Sequence, residues 1–423
     1  MSAAPPVVLV LNAGSSSLKF RTYGLDGGRL EQELSGQIEG IGGRARLRAT
    51  AADGVGVADR MLAGDDLATD ASTDASTDAS TDAKIDAPTA LAVLVRWLGA
   101  RLAGRRIAAI GHRVVHGGTR HAEPVRVDDA VLADLEALVP LAPLHQPHNL
   151  APIRALAVSW PDVPQVACFD TAFHRTQPPE AELFALPLEY RDAGVRRYGF
   201  HGLSYESIAD RLPVVAPAAA AGRTIVAHLG AGVSMCALQG GRSVATTMGF
   251  TALDGCIMGT RCGTIDPGVV LWLARERGLS VDEIERLLYR ESGLLGLSGL
   301  SADMRVLLAS DAPSARLAID CFTYRIAREA GSLVSALGGL DALVFTAGIG
   351  EHSAPIRAAI CARLAWLGLE IDTAANAAGG PCLTVPGSRV SAWRIPTDEE
   401  GRIAERTVGL LSGAAPPGHD RPR

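Results

Sequence analysis

Short apolar runs alternate with polar turns over the first fifty residues. Residues 7–11 form an apolar run, residues 12–17 a turn of small polar residues, and residues 18–23 a second apolar run. Runs of this length bounded by turn residues predict β-strands. Alternating segments at 30–38 and 45–49 continue the pattern, so we expect a meander within one sheet.

Helical and strand patterns alternate farther along the chain. Apolar residues at helical spacing over 91–102 precede an apolar run at 107–115, and Ser280 and Glu283 form a capping box before another helical pattern. Gly240 and Gly241 are expected to form the hairpin turn of a two-strand unit. The other predicted elements are helices at 130–139, 267–277, 281–290, 314–337, 355–367 and 399–411 and strands at 163–169, 224–229, 234–239, 343–346 and 390–395.

A strand-rich start followed by mixed helices and strands occurs twice, once from residue 7 and again from residue 224. This order predicts a duplicated α/β unit. Two such units facing one another would form a cleft, and clefts between domains are common ligand sites.

Composition narrows the class of protein. The 423 residues are 48% hydrophobic and 20% charged, which excludes wholesale disorder and a collagen-like fibre. The net charge is −6 and no basic run occurs, so we expect no nucleic-acid partner. Without a signal-peptide core or a long apolar segment, we expect a cytoplasmic protein that does not enter the membrane.

Two further features of composition carry no predicted function. The Thr-Asp-Ala-Ser repeat at 69–83 contains nothing apolar larger than alanine, and we interpret it as a surface loop, with an acidic docking segment as the alternative. The seven cysteines are scattered and form no CxxC pair, so we expect reduced core residues and neither disulfides nor a zinc site.

Three glycine-containing turns each follow a predicted strand, at 12–17, 228–232 and 347–351. Small residues at such turns allow backbone N–H groups to approach phosphate oxygens closely. None of the turns matches the P-loop pattern or the dinucleotide-binding GxGxxG pattern. A phosphate site is therefore indicated, whereas a P-loop NTPase and a Rossmann dehydrogenase are disfavoured.

Longer motifs resemble one known family. The octapeptide Asn-Ala-Gly-Ser-Ser-Ser-Leu-Lys at 12–19 resembles the first signature of the acetate kinases, and residues 248–251 through 258–261 resemble the second. Blocks at 111–118, 141–145, 169–174, 197–205, 293–299, 348–351 and 396–400 follow in the family's order. The resemblance covers nearly the whole chain except the repeat and the last dozen residues.

The resemblance implies a fold and a reaction. The fold is α/β, with two duplicated ribonuclease-H-like domains of the actin-like ATPase type around a central cleft. The expected domains are 1–168 plus 397–423, with a low-complexity insert at 64–87, and 169–396. The implied reaction is reversible transfer of the ATP γ-phosphoryl group to acetate, giving acetyl phosphate and ADP. The implied metal is Mg²⁺, with Mn²⁺ as the alternative, in a cytoplasmic homodimer.

The resemblance also assigns roles to residues. Arg113 would bind the carboxylate, Arg261 would stabilise the transferring group, and His201 would donate a hydrogen bond to its equatorial oxygens. Asp170 would orient Arg113 or hold the metal through water. The positions matching the acyl pocket are Val115, Leu144, Phe200 and Ala252, and those matching the Mg²⁺ site are Asn12 and Glu399. The positions matching nucleotide contacts are Ser15, Ser17, Lys19, His228, Leu229, Gly230, Ala231, Gly232, Asp303, Met304, Arg305, Gly348, Ile349, Gly350, Glu351 and His352.

The chemistry suits these residue types. A short carboxylic acid has a pKa near 4.3 and is ionised at neutral pH, so no general base is required. The obstacle is anion repulsion, which costs about 4 kcal/mol per pair at ~4 Å and an effective dielectric of ~20. Guanidinium groups can offset it because they grip carboxylate and phosphoryl oxygens bidentately.

Several alternatives stay open at this stage. Ala252 replaces a family proline, which favours propionate or butyrate kinase as a rival; Ala231, His352 and Asp398 replace asparagines. A nucleotide-switched module of the actin or chaperone kind is the rival from another class. Glu399 as a helix N-terminal charge, His228 as a core histidine and Asp303 with Arg305 as a surface pair are the structural readings of those residues.

Overall fold

The computed structural model describes residues 4–14, 16–62, 84–102 and 104–413. Within these residues the chain divides into two compact units. The first comprises Met1–Ala172 together with Glu399–Arg423, and the second comprises Phe173–Asp398. The repeat at 69–83 and Ser15 lie outside the described residues.

Thirteen strands occur in the described part of the chain. They are β1 Val7–Ala13, β2 Ser17–Asp26, β3 Arg29–Glu39, β4 Arg46–Ala51, β5 Gly56–Met61, β6 Ile107–Val114, β7 Val125–Arg126, β8 Gln165–Phe169, β9 Arg223–Leu229, β10 Val233–Gln239, β11 Arg242–Thr246, β12 Ala342–Thr346 and β13 Ser391–Arg394.

The helices in the same residues are α1 Ala87–Arg101, α2 Asp129–Ala137, α3 Gln146–Ser159, α4 Pro179–Glu182, α5 Leu188–Asp192, α6 Gly202–Val215, α7 Pro217–Ala221, α8 Pro267–Glu276, α9 Val281–Arg290, α10 Gly293–Ser298, α11 Met304–Leu308, α12 Pro313–Leu337, α13 Ala347–His352, α14 Ala354–Arg363, α15 Thr373–Ala378 and α16 Glu399–Ser412. Short 3₁₀ turns occupy Val139–Leu141, Ala172–Thr176 and Ala365–Leu367.

The sheets of the two units share one strand arrangement, although they differ in the number of strands. The first sheet has the order β5-β4-β3-β2-β1-β6-β8-β7, and the second has the order β11-β10-β9-β12-β13. In the first, β3, β2 and β1 are antiparallel neighbours while β6 and β8 continue in parallel with β1. In the second, β11, β10 and β9 are antiparallel while β12 and β13 run parallel to β9. The predicted duplication of an α/β unit is thereby confirmed.

Burial of the first unit follows from this topology. All seven residues of β1 are buried, because the strand lies inside the sheet and is covered on both faces. Helix α16 packs on β1 and β6. Gly111 of β6 permits the close approach, since a Cβ there would lie 2.4 Å from Thr407 Oγ1 and 2.6 Å from Ile403 Cγ2. This packing fixes the position of the two acidic residues that begin α16 within the first unit.

Each predicted strand and helix has a counterpart in the structure, but strands β5, β7 and β11 and helices α4, α5, α7, α10, α11, α13 and α15 were not predicted. Gly240 and Gly241 have positive φ and turn a hairpin as expected, but it joins β10 to a third strand, β11, and residues 230–232 join β9 to β10. The predicted helix at 355–367 ends at Arg363 and continues as a 3₁₀ turn. Helices α3 and α6 were not predicted; each contains an internal proline.

Two expectations from composition can also be compared. All seven cysteines are free, and Cys168, Cys236, Cys256 and Cys361 are buried, so the prediction of unbridged cysteines is confirmed. Of the helices in the described ranges, none has the length and apolar character needed to span a bilayer.

We expect three buried histidines to make the fold less stable in mild acid. Burial lowers the pKa of His112, His116 and His174 to about 4, from 6.5. The unfolded chain therefore takes up protons first, and stability present above pH 6.5 is lost as pH falls from 6.5 towards 4. Each histidine contributes about 1.4 kcal/mol per pH unit in that window.

Urea unfolding at pH 7.5 and 5.5 measures the effect. His112→Gln should reduce the loss between these pH values, whereas His148→Gln, at a partly buried position, should leave the loss unchanged. Equal stability of the unsubstituted protein at both pH values would contradict the prediction.

Candidate active site

The first unit places a guanidinium and a carboxylate at one sheet edge. Arg113 is the penultimate residue of β6, and Asp170 directly follows β8. These strands are parallel and in register, with Arg113 opposite Cys168, so their carboxyl ends meet. Arg113 Nη2 donates to Asp170 Oδ2 at 2.5 Å and Arg113 Nε donates to the same oxygen at 3.1 Å. Nε also donates to Asp170 Oδ1 at 3.2 Å, so the pair engages both carboxylate oxygens, and the side chains of Asp170 and Arg113 are 1% and 18% exposed.

Asn12 and Glu400 extend this arrangement. Arg113 Nη1 donates to Asn12 Oδ1 at 3.2 Å, and Asn12 Nδ2 donates to Glu400 Oε1 at 3.3 Å. Arg21 Nη2 donates to the other Glu400 oxygen at 3.4 Å. Asn12 is the penultimate residue of the buried strand β1, and Glu400 is in the first turn of α16. We call Asn12, Arg113, Asp170, Glu399 and Glu400 the carboxylate cluster.

Within the carboxylate cluster, the charged form of Glu399 is disfavoured. Burial raises its pKa to about 7; the Arg113 charge opposes this, while Asp170 and Glu400 add to it. Burial also disfavours the charge on Arg113, but the Asp170 and Glu399 carboxylates outweigh it and raise the Arg113 pKa. A buried carboxyl with incomplete neutralisation is the kind of environment that a cation stabilises.

The donor set can be compared with the predicted metal site. Among the residues that the structure describes, no three or more His, Cys, Asp or Glu side chains are grouped to hold a metal ion. An amide oxygen from Asn12 and the carboxylates of Glu399 and Glu400 are nevertheless hard oxygen donors. They fit Mg²⁺, which keeps several waters and uses one or two protein carboxylates.

The second unit brings two histidines together. His201 precedes α6 with a left-handed φ of 59°, and His228 lies near the end of β9. Their rings stack with centroids 4.1 Å apart and planes 17° apart. His201 Nδ1 lies 2.8 Å from Ser234 Oγ, and His228 Nδ1 lies 2.8 Å from Ser204 Oγ. We call these four residues with Arg261 the histidine group.

The glycine turn at 230–232 packs directly against the histidine group. A Cβ at Gly232 would lie 2.6 Å from Arg261 Nη2 and 3.1 Å from His201 Nε2, and a Cβ at Gly230 would lie 3.5 Å from His228 Nε2. Arg261 is anchored from its other side, because its Nη1 donates to the Ala252 carbonyl at 2.5 Å. Both Nε2 atoms and one end of the guanidinium therefore face this turn.

The third predicted glycine turn is a different structure. Residues 348–352 belong to the short helix α13, which begins directly after β12, with Ala347 at φ 63°. Glu351 Oε1 accepts from the Ala347 N–H at 2.8 Å and from the Thr397 N–H at 3.2 Å. The expected glycine loop is therefore replaced by a short helix whose first residue is left-handed and whose first N–H is bonded by a side chain.

The remaining predicted residues are distributed over both units. Asp303 caps α11 and pairs at 2.6 Å with Arg305, whose side chain is 90% exposed, and the nucleotide contact expected of these residues stays a prediction. Lys19 is exposed on β2 opposite Asn12. The first unit also holds Ser17 and the apolar Val115 and Leu144, and the second holds Phe200, Leu229, Ala231, Ala252, Met304, Gly348, Ile349, Gly350 and His352.

Sequence reasoning missed several residues of these arrangements: Arg21, Ser204, Tyr205, Ser234, Arg357 and Glu400. Arg357 is 2% exposed and donates to the Gly350 and Glu351 carbonyls and to Asn376 Oδ1 and O. A hydroxyl inside the apolar run 233–238 was the available signal for Ser234. Nothing local marks Arg357, because its partners lie up to 19 residues away.

Solved structures of known proteins define the class. The chain is similar to a propionate kinase from Francisella tularensis, with a TM-score of 0.84, 35% identity and coverage of 95% of this chain and 99% of that one. It is also similar to an acetate kinase from Porphyromonas gingivalis, with a TM-score of 0.81, 32% identity and coverage of 96% and 100%. With the duplicated sheet, these neighbours place the protein in the actin-like ATPase fold class, as expected.

Sequence relatives then specify the family. The model of the acetokinase family matches residues 7–405. An acetate kinase from Nitrobacter hamburgensis is 52% identical over 407 residues, 96% of each chain, and one from Rhodopseudomonas palustris is 53% identical over 412 residues, 96% of this chain and 99% of that one. The chain belongs to the acetokinase family, and the resemblance read from the motifs is confirmed.

We expect Arg357→Met to destabilise the second unit. Methionine keeps much of the volume but leaves the Gly350 and Glu351 carbonyls and Asn376 without their donor, which costs about 3 kcal/mol or more. Thermal unfolding followed by calorimetry should show a lower midpoint. Arg316→Met, at a side chain 79% exposed, is the matched control and should change the midpoint little. A midpoint equal to that of the control would contradict this.

Proposed function

We propose that the protein is an acetate kinase, transferring the γ-phosphoryl group of ATP to acetate and forming acetyl phosphate and ADP reversibly. Family membership supports the reaction. The observation that carries the proposal is that the four residues expected to act in the reaction all make defined contacts. Arg113 and Asp170 form a buried bidentate pair, and His201 and Arg261 flank one glycine turn.

Arg113 is proposed to bind the acceptor carboxylate. A guanidinium has five N–H donors; two are directed to Asp170 and one to Asn12, which leaves two N–H groups for a substrate anion. Since acetate is already ionised, Asp170 has no proton to remove. Its contacts support the orienting role, in which it fixes the plane of the Arg113 fork.

Arg261 and His201 are proposed to stabilise the transferring phosphoryl group. Phosphoryl transfer needs little covalent chemistry and depends on positioning and on charges aimed at the equatorial oxygens. Arg261 anchored on the Ala252 carbonyl and His201 Nε2 lie beside Gly232, whose missing side chain admits a ligand close to both. The backbone around 230–232, His228 and the stretch 348–352 are proposed nucleotide contacts.

A magnesium ion is proposed to accompany ATP, with Mn²⁺ as the alternative. Asn12 and Glu399 would hold it with retained waters, and Glu400 is a further available oxygen donor. The ion would neutralise charge on the ATP phosphates. The raised pKa of the partly buried Glu399 supports this assignment, because a divalent ion compensates a carboxylate that the protein alone solvates poorly.

The length of the acyl chain is the open part of the substrate assignment. Val115, Leu144, Phe200 and Ala252 are the proposed pocket residues, and alanine is smaller than the proline expected at 252. One methylene in such a pocket is worth about 1–3 kcal/mol. Propionate or butyrate kinase activity is therefore the second candidate. Similarity to a propionate kinase is consistent with it.

Trapping of acyl phosphate with hydroxylamine tests these proposals. We expect hydroxamate from acetate with ATP and Mg²⁺, and kcat/KM across acetate, propionate and butyrate orders the candidates. Arg261→Lys should lower kcat by 10²-fold or more, because it keeps the charge and loses the fork. Arg316→Lys, at a side chain 79% exposed, should leave kcat unchanged.

Failure to form hydroxamate from all three acids would reject the kinase assignment. Slow ATP hydrolysis without transfer would then favour the nucleotide-switched module. A near-normal rate for Arg261→Lys would instead mean that Arg261 is structural.

We also propose a homodimer formed through α8. Its residues Val269, Leu271 and Trp272 are 40%, 52% and 49% exposed, and none of the helix is buried. A run of exposed apolar residues on one helix is typical of an interface. A second copy of the chain is the proposed occupant.

Light scattering after gel filtration measures the assembly. Trp272→Glu should give monomers where the unsubstituted chain gives dimers, because it places a charge in the proposed interface. Trp366→Glu, at a residue 68% exposed in another part of the second unit, should leave dimers intact. Dimers that persist in Trp272→Glu would show that the interface does not involve α8.

A further inference from the structure

A chain of hydroxyl groups reaches the ring of His201 from the core of the second unit. Tyr205 is fully buried in α6, and its hydroxyl lies 2.5 Å from Ser234 Oγ. Ser234 is also fully buried and lies 2.8 Å from His201 Nδ1. We infer that Tyr205 and Ser234 are positioning residues that hold His201 as the neutral tautomer with its proton on Nε2. This inference rests on the role proposed above for His201.

The direction of the hydrogen bonds follows from the acidity of the groups. A phenol, with a pKa near 10, is a better donor than an alcohol, so Tyr205 donates to Ser234 Oγ. Ser234 then has its own proton to donate, and His201 Nδ1 is the acceptor within reach. A neutral imidazole that accepts at Nδ1 carries its proton at Nε2.

The backbone holds each member of this chain in place. Ser234 on β10 pairs in register with His228 on β9, whose ring stacks on His201. Tyr205 is one helical turn after His201, and its N–H donates to the His201 carbonyl at 3.1 Å. The hairpin and the start of α6 therefore fix the distance between the two hydroxyls and the ring.

The tautomer matters because of what Nε2 faces. His201 Nε2 and Arg261 Nη2 lie beside the same residue, Gly232. Two cations at about 4 Å repel by about 4 kcal/mol at an effective dielectric of 20, so a neutral N–H donor can stay beside a guanidinium where an imidazolium is disfavoured. The Nε2–H tautomer offers a phosphoryl oxygen a donor; the Nδ1–H tautomer offers it a lone pair.

His228 provides an internal comparison. Its Nδ1 lies 2.8 Å from Ser204 Oγ, so each stacked ring has its own serine. Ser204 is buried in the same helix as Tyr205. Removing Ser204 should therefore perturb His228 and leave the Ser234 contact with His201 in place.

Nitrogen NMR of the full-length protein labelled with ¹⁵N-histidine reads the tautomer directly. The His201 signal is assigned by its loss in His201→Asn, and a one-bond N–H coupling identifies the protonated nitrogen. We expect the coupling at Nε2 in the unsubstituted protein. Ser234→Ala should give a mixture of tautomers, Ser234→Thr should restore Nε2–H, and Ser204→Ala should leave the His201 signal unchanged.

Steady-state kinetics supply the second readout. Loss of one such hydrogen bond should lower kcat about tenfold in Ser234→Ala, with KM for ATP and acetate within twofold. Tyr205→Phe should show a smaller decrease, and Ser234→Thr should recover most of the rate. A general loss of folding would instead lower the amount of active enzyme without a change of tautomer.

The outcomes separate this inference from the proposed function. A proton on Nδ1 in the unsubstituted protein overturns the inference, as does a tautomer or a kcat that Ser234→Ala leaves unchanged. The NMR measurement needs no turnover, so an enzyme that forms no acyl phosphate would reject the kinase proposal while the tautomer is still measured. Ser234→Thr and Tyr205→Phe provide the comparison if Ser234→Ala does not fold.

Discussion

The buried pair between Arg113 and Asp170 is the constraint on which the first unit depends. Desolvating a guanidinium and a carboxylate costs several kcal/mol per ion, and the cost is recovered only with good geometry and further hydrogen bonds. The parallel register of β6 and β8 supplies that geometry, and Asn12 supplies a further bond. Such a pair fixes the plane of the Arg113 guanidinium more than it adds stability.

The duplicated sheet carries two different kinds of chemistry. In the first unit the strand ends hold charges: a guanidinium, an aspartate and the glutamates that begin α16. In the second unit the corresponding first turn contains Gly230 and Gly232, and the two stacked histidines and Arg261 pack against it. The same topology thus presents a guanidinium paired with a carboxylate in one copy and a glycine turn beside N–H donors in the other.

Hydrogen bonds to groups that do not themselves react hold these side chains in place. Ser234 and Tyr205 stand behind His201, Ala252 anchors Arg261 through its carbonyl, and Arg357 ties α13 to α14 and α15. Each supporting group is buried or partly buried, where an unmade hydrogen bond is expensive. This expense gives each supported side chain one orientation, which electrostatic stabilisation of a transition state requires.

The sequence by itself determined the class, the duplicated order of strands and helices, and the membership of the family. Those properties reside in local patterns: apolar periodicity, capping residues and long contiguous motifs. It could not determine that 347–352 is helical, that Glu400 bonds to Asn12, or that Tyr205 and Ser234 stand behind His201. Asn12 and Glu400 are 388 residues apart, and their contact exists only because α16 packs where Gly111 leaves room. Tertiary packing alone decides which distant polar groups are desolvated together, and that desolvation sets their pKa values, hydrogen-bond partners and chemical roles.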